Sequence, residues 1–201
     1  MHSDTRQYLT EADSELGRMA HLAKQTLGFY RDSTSPVLFE PAELIESVLA
    51  IYDHKVSTRK VRVVKDFRKT PPVHGFAGEF RQVLSNLIVN AIDAMDAEGG
   101  RLILRIRPSR RWDMQAHKGV RITVADNGCG IRPDRIHKIF EAFFTTKQDV
   151  GTGLGLWLSQ EIVQKHAGHI SVKSHIAAPQ SGTAFSIFWP GPPEPGAVSS
   201  K

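Results

Sequence analysis

Four short segments carry residue types and spacings that could do chemistry. Asn86 and Asn90 stand four apart in Asn86-Leu87-Ile88-Val89-Asn90-Ala91, so on a helix the two amides share a face. Val83, Leu84, Leu87, Ile88 and Ala91 form its apolar face. Amides on an apolar helix need partners, and an amide oxygen is a hard ligand suited to magnesium. Capping or core-satisfied amides are the plainer reading of that pair taken alone. The second segment, Asp126-Asn127-Gly128-Cys129-Gly130-Ile131, follows a β-rich run at 120–124. A carboxylate at a strand end can accept from a base amine where glycines let backbone pass close. A tight Asp-Asn-Gly turn is the alternative.

The third segment, Gly151-Thr152-Gly153-Leu154-Gly155-Leu156, opens a helix predicted from about Leu154. Backbone N–H groups at a helix N-terminus attract phosphate, and glycines keep side chains out of the way. Its glycine spacing is not that of a dinucleotide fingerprint, no strand leads straight into it, and the chain has no G-x-x-x-x-G-K-[ST] loop. The fourth, Ile139-Phe140-Glu141-Ala142-Phe143-Phe144-Thr145-Thr146-Lys147, carries three phenylalanines. Such a cluster is core by default. Its place just before a glycine-rich stretch suggests the hinge of a flexible lid.

The surrounding pattern predicts the elements that must position these groups. Residues 4–31 read as a helix with a seam of Leu9, Ala12, Leu16, Met19, Ala23, Thr26 and Tyr30, as in a coiled coil or bundle. A helix packed only on its own domain is the alternative. Ser33-Thr34-Ser35-Pro36 breaks it. Strands are predicted at 37–39, 61–64, 73–74, 102–106, 120–124, 169–173 and 184–189. Helices are predicted at 41–57, with Pro41 in its first turn, at 77–97, ended by Gly99-Gly100, and at 154–165. The Pro, Gly and Ser-rich end after Pro190 has little to bury and reads as disordered.

The 201 residues, 40% apolar and 23% charged, suit one globular domain with an appendage. A net charge of +5 is mild, and in sequence the basic residues are scattered, so no nucleic-acid partner is expected. The single cysteine, Cys129, excludes an intramolecular disulfide framework and fits a reducing compartment. No apolar run reaches the length of a membrane span. The expected location is cytoplasmic, with a parent protein that could still be membrane-anchored.

Taken together, the order and spacing of the four segments, with a final Gly182-Thr183-x-Phe185 strand, resemble the GHKL ATP-binding superfamily. Within it the match is closest to sensor histidine kinases of two-component systems, over nearly everything from Phe39 to Pro190. The leading helix, ending Leu27-Gly28-Phe29-Tyr30-Arg31, looks like the second helix of the kinase dimerisation hairpin. The resemblance implies an α/β (α+β) fold, a two-layer sandwich with a mixed sheet covered on one face by helices. Residues 1–34 would be a truncated hairpin helix, 35–190 the ATP-binding catalytic domain and 191–201 a tail.

The same resemblance implies ATP and Mg2+ as cofactors. Asn90 would be the magnesium ligand and Asn86 a second amide on the nucleotide side, both catalytic. Asp126 would accept from the adenine amine, with Gly128, Gly130 and Ile131 along that wall. Phe143 and Phe144 would anchor a lid at 145–152 that includes Thr145, Thr146 and Lys147. Gly151, Thr152, Gly153, Leu154, Gly155 and Leu156 would lie at the phosphates, and Gly182 and Thr183 would close the adenine end. A cognate response regulator and a homodimeric full-length protein are implied as well, with the fragment alone a monomer or weak dimer.

Departures from the family pattern mark what is special here. Ala142 replaces a usual proline, and Phe76 replaces a helix-opening aspartate. Asp93, expected among the cofactor-binding residues, stands where some relatives carry a lysine, which leaves Lys147 as the expected phosphate-facing cation. None of the nine histidines sits in a His-Glu/Asp-x-x-x-Pro setting, so the phosphoacceptor is expected outside this sequence. His166 and His169 lack a third metal ligand at suitable spacing and read as surface histidines. Hydrolytic relatives carry a glutamate where Asn86 stands, and an amide cannot serve as a general base. That favours a kinase over an ATPase of the gyrase, mismatch-repair or chaperone kind, or a nucleotide-binding scaffold.

Overall fold

A computed structural model describes residues 35–96, 98–110, 118–147, 151–177 and 180–191. The hairpin helix expected at 4–31, residues 148–150 of the expected lid and the tail from 192 lie outside the described residues.

The chain begins with β1 (Val37–Phe39) and then α1 (Pro41–Ile51), whose first turn holds Pro41. The single helix predicted over 41–57 is two. Tyr52 leaves helical geometry with φ −101° and ψ 11°, and α2 (Asp53–Thr58) restarts after it. The Tyr52 hydroxyl lies 2.6 Å from Ser85 Oγ on the next long helix, which pins the break. Then come β2 (Val61–Phe67) and β3 (Val73–Gly75), followed by α3 (Ala77–Ala94) and the strands β4 (Gly100–Arg110) and β5 (Lys118–Asp126). Helix α4 (Gly155–Lys165), β6 (His169–His175) and β7 (Gly182–Pro190) complete the order. Helix α3 stops three residues short of the predicted 97, for a reason that belongs to the site below.

Strands β1 and β3 form a small antiparallel pair. The main sheet has five strands in the order β2-β4-β5-β7-β6. The first pair is parallel and the rest antiparallel, so the sheet is mixed, as expected. Period-two alternation sends Leu102, Leu104, Ile106, Val120, Ile122, Val124, Phe185, Ile187 and Trp189 to one face. There they join Phe80, Leu84, Leu87, Ile88 and Ile92 of α3 in a single core. Burying each such side chain contributes about 1.5–3 kcal/mol. The opposite face takes the alternate residues, and here the basic side chains, dispersed in sequence, converge. Arg62 pairs with Arg101 and Arg107 with Arg121 in register, while Arg105 and Arg107 share Asp66.

The ends of α3 and α4 are tied across the core's margin. Phe76 at the N-cap of α3 supplies no side-chain cap, as its apolar ring requires. Glu79 in the first turn instead takes Lys165 Nζ at 2.6 Å and His166 Nε2 at 2.7 Å. The His166 ring lies 4.4 Å from the Trp189 ring and 5.8 Å, edge-on, from Phe76. His166 is therefore no surface histidine; its side chain is only 10% exposed. Burial lowers its pKa below 6.5, and the Glu79 carboxylate opposes that shift only in part.

The sign of the resulting pH dependence follows from linkage. Below about pH 6.5 the unfolded imidazole takes up a proton that the folded one refuses, so acid costs stability down to the lowered folded value. The melting temperature should fall with acidification through that window, and His166→Gln should flatten the fall. An unchanged acid limb in the variant would contradict the assignment.

Candidate active site

The polar residues gather where the C-terminal end of α3 meets the ends of β5 and β7 on the helix-bearing side of the sheet. Asp126 is the last residue of β5, in register with Leu102 on one side and Thr183 on the other. Thr183 is in turn in register with Ser174 on β6. These three polar residues form one row across the sheet. The Ser174 hydroxyl sits 3.0 Å from Thr183 Oγ1, donates to Gly182 O at 2.9 Å and accepts Ile131 N–H at 2.7 Å. Ser174 thus holds the wall containing Gly130 and Ile131 against the sheet. It sits in an ordinary alternating strand, so only the register reveals it.

Asp126 is half-buried, and burial pushes its carboxyl pKa above 3.8. The backbone N–H groups of Gly128 and Thr183 oppose that shift, the first at 2.9 Å from Oδ1. This tethering orients the carboxylate. The loop after it then crosses the end of α3 at contact distance. Cys129 N–H donates to Ala94 O at 3.0 Å, which ends the helix at Ala94 by occupying a terminal carbonyl. A Cβ on Gly128 would lie 2.3 Å from Ala94 O, so only glycine permits the approach. Gly130 is packed equally close to the His175 carbonyl. Asn127 Oδ1 accepts Arg101 N–H at 2.6 Å and closes the other flank.

The two asparagines of α3 have different surroundings. Asn86 Nδ2 donates to Gly155 O at 2.9 Å and to Ser159 Oγ at 3.2 Å, while its Oδ1 accepts from Gln82 at 3.2 Å. Asn86 therefore clamps the first turn of α4 onto α3. One turn further on, Asn90 Oδ1 faces Lys147 Nζ at 3.4 Å, and the same ammonium meets Asp93 Oδ2 at 2.8 Å. The other Asp93 oxygen is 2.6 Å from Lys55 Nζ on α2. The motif reading missed Lys55, because only the fold brings α2 alongside α3. Burial works to raise the Asp93 pKa, but its hydrogen bonds to Lys147 and Lys55 prevail and hold it below 3.8.

The glycine-rich segment leads into α4, whose N-cap Leu154 supplies no side-chain cap and whose first turn has no acid. Its opening N–H groups are thus suited to an anion. Gly153 has φ 67° and packs on the backbone of Phe143, where a Cβ would sit 2.4 Å from the carbonyl carbon. Phe143 also has φ 67°, which costs a non-glycine residue about 1–2 kcal/mol. Its ring is 72% exposed, so it meets the glycine segment through its backbone. Phe144 and Phe140 pack on the core, with the Phe140 ring edge-on to Phe185 at 6.4 Å. Thr145 Oγ1 accepts Lys147 N–H at 3.1 Å, and a Cβ on Gly151 would crowd that hydroxyl. Thr152 Oγ1 accepts Leu154 N–H at 3.4 Å, and Leu156 packs on the core. Thr146 is exposed beside Lys147.

The site is thus a half-buried carboxylate at one strand end of a mixed sheet, beside a helix with a polar stripe. A family model described as histidine kinase-, DNA gyrase B-, and HSP90-like ATPase matches residues 77–193, and the chain belongs to that family. Among curated relatives, sensor kinase CckA of Brucella abortus (strain 2308) is 36% identical over 183 residues, 86% of this chain and 19% of that protein. The signal transduction histidine-protein kinase AtoS of Escherichia coli (strain K12) is 33% identical over 195 residues, 94% of this chain and 30% of that protein. The chain thus spans less than a third of the length of either. The nucleotide-free catalytic domain of histidine kinase ThkA superposes with TM-score 0.66 at 29% identity, covering 80% of this chain and 100% of that one. ThkA in complex with its response regulator protein TrrA gives 0.68 at 26% identity, over 94% of this chain and 52% of that one.

The close approach of Gly128 to α3 can be tested directly. Gly128→Ala must displace the loop from Ala94 and should cost about 1–3 kcal/mol in denaturant unfolding. Gly155→Ala places its Cβ at an ordinary 3.5 Å from Asn86 Cγ and should leave stability within about 0.5 kcal/mol. Equal costs for the two variants would contradict the geometry.

Proposed function

We propose that this domain binds ATP with Mg2+ and transfers the γ-phosphoryl to a histidine on a helical hairpin, as the catalytic part of a two-component sensor kinase. The observation that carries this reading is the state of the acids on α3. The helix has two, Glu79 and Asp93, and both are ion-paired away from any base role. The residue on the polar stripe that could face a water, Asn86, is an uncharged amide already engaged with α4. A hydrolase needs a group that takes the proton from water, whereas a neutral imidazole is nucleophilic without one. The site is therefore better suited to holding a phosphoryl in line for an incoming histidine than to activating water.

In this reading Asp126 accepts from the adenine amine, and the α4 N-terminus with Gly153 and Gly155 receives the phosphates. Asn90 would hold the metal. Its oxygen fits that role because it already faces a cationic group, Lys147. Magnesium held there would supply neutralisation of the phosphate charge. The accepting histidine would come from a hairpin of the full-length protein, homodimeric in this reading, and the partner would be a cognate response regulator. The location would be cytoplasmic. Among the described residues, no helix is long and apolar enough to cross a membrane.

Radiolabelled ATP with and without a supplied hairpin tests the transfer. The domain alone should hydrolyse ATP slowly and label itself little. With a hairpin bearing the parent's His-Glu-x-x-x-Pro helix, the hairpin should be labelled, and Asn90→Ala should abolish labelling by losing magnesium. Brisk hydrolysis with no label on any histidine would contradict the proposal.

A further inference from the structure

The side-chain cluster beside Asn90 contains a group that no motif assigns. Asp93 lies one turn beyond Asn90 on the same helix, and a bare carboxylate there would repel a phosphate chain held near Asn90. Both of its oxygens are taken up by ammonium groups, Lys55 Nζ at 2.6 Å and Lys147 Nζ at 2.8 Å. One negative and two positive charges leave the cluster with a net charge of +1. Lys147 reaches the cluster from the segment that precedes the glycines, whereas Lys55 comes from the six-residue α2. The contact between Tyr52 and Ser85, 2.6 Å long, holds the start of α2 against α3 and so sets where Lys55 ends up. An ammonium has three donors, and Asp93 occupies one on each lysine.

We propose that Lys55 is a nucleotide-affinity residue: with Lys147, and held by Asp93, it makes the region beside Asn90 a net-positive seat for the phosphate chain of the bound nucleotide. This rests on the ATP-binding reading above and deepens it. Asp93 acts as a positioning residue whose carboxylate spaces the two ammonium groups. Lys55 Nζ has donors left for a phosphate oxygen, and charge-assisted bonds of that kind are the strong ones. Removing Lys55 does more than delete a donor, because it also unmasks half of the Asp93 charge. The Asp93 carboxylate then becomes a repulsive element, which predicts a particular pattern of rescue.

Calorimetry with Mg-ADP and with adenosine, on the intact chain, separates this role from a purely structural tie between α2 and α3. Lys55→Ala should weaken Mg-ADP about tenfold, the scale of one lost hydrogen bond to a charged group, and leave adenosine unchanged. Lys55→Arg should keep most of the affinity. Lys55→Ala combined with Asp93→Asn should bind Mg-ADP more tightly than Lys55→Ala alone, since the unmasked charge is gone. Wild-type affinity for Mg-ADP in Lys55→Ala, or an equal loss for ADP and adenosine, would overturn the inference while leaving the ATP-binding reading in place. Failure of the wild-type chain to bind Mg-ADP at all would overturn both.

Discussion

The hydrogen bond from Cys129 N–H to Ala94 O is the contact on which the site depends. It joins two elements that carry different chemistry, a helix with an amide stripe and a strand ending in a carboxylate. Without it, Asn90 and Asp93 would belong to one surface and Asp126 to another. The contact requires a residue without a Cβ at 128, a helix that ends at 94, and a sheet that presents the end of β5 at the height of that ending. The apolar face of α3 meets the last condition. Leu84, Leu87, Ile88 and Ile92 are fully buried against the sheet and fix the helix along its length. The core is thus the ruler that brings amide and carboxylate to one place.

A second joint completes the arrangement. Asn86 ties the first turn of α4 to α3 through Gly155 O and Ser159 Oγ, so the uncapped N-terminus of α4 is held beside the Asn90 end of the stripe. At the far ends of the same two helices, Glu79 joins Lys165 and His166. Helix α4 is therefore tied to α3 at both of its ends. Phe143 accepts an unfavourable backbone conformation where Gly153 packs against it, which places the strain next to the segment that would receive phosphate.

Much of this was legible from residue order. The strands, the three main helices and the mixed sheet follow from periodicity, turn residues and the family resemblance. The segments at Asn86, Asp126 and Gly151 come together at one end of the sheet. What sequence could not reveal depended on register and long-range contact. Ser174 looks like any outward polar residue until β6 is aligned with β7, and Lys55 looks like a surface lysine until α2 is laid beside α3. The break at Tyr52 is invisible to helix propensity because its cause, Ser85, is thirty-three residues away. His166 looks like a surface group in sequence, since its carboxylate partner Glu79 lies far back along the chain and only the fold lays the Trp189 ring over it.

In the proposed function, the end of the sheet recognises an adenine nucleotide through the Asp126 carboxylate. Adenine offers an amine donor to that group, whereas guanine presents a carbonyl oxygen at the same ring position and would be repelled. Calorimetry with Mg-ADP and Mg-GDP, on wild type and Asp126→Asn, tests this most directly. The prediction is binding of ADP with little or none of GDP, and a loss of about 1–3 kcal/mol for ADP in the variant. Equal affinity for the two nucleotides, or an unchanged affinity for ADP in Asp126→Asn, would contradict it.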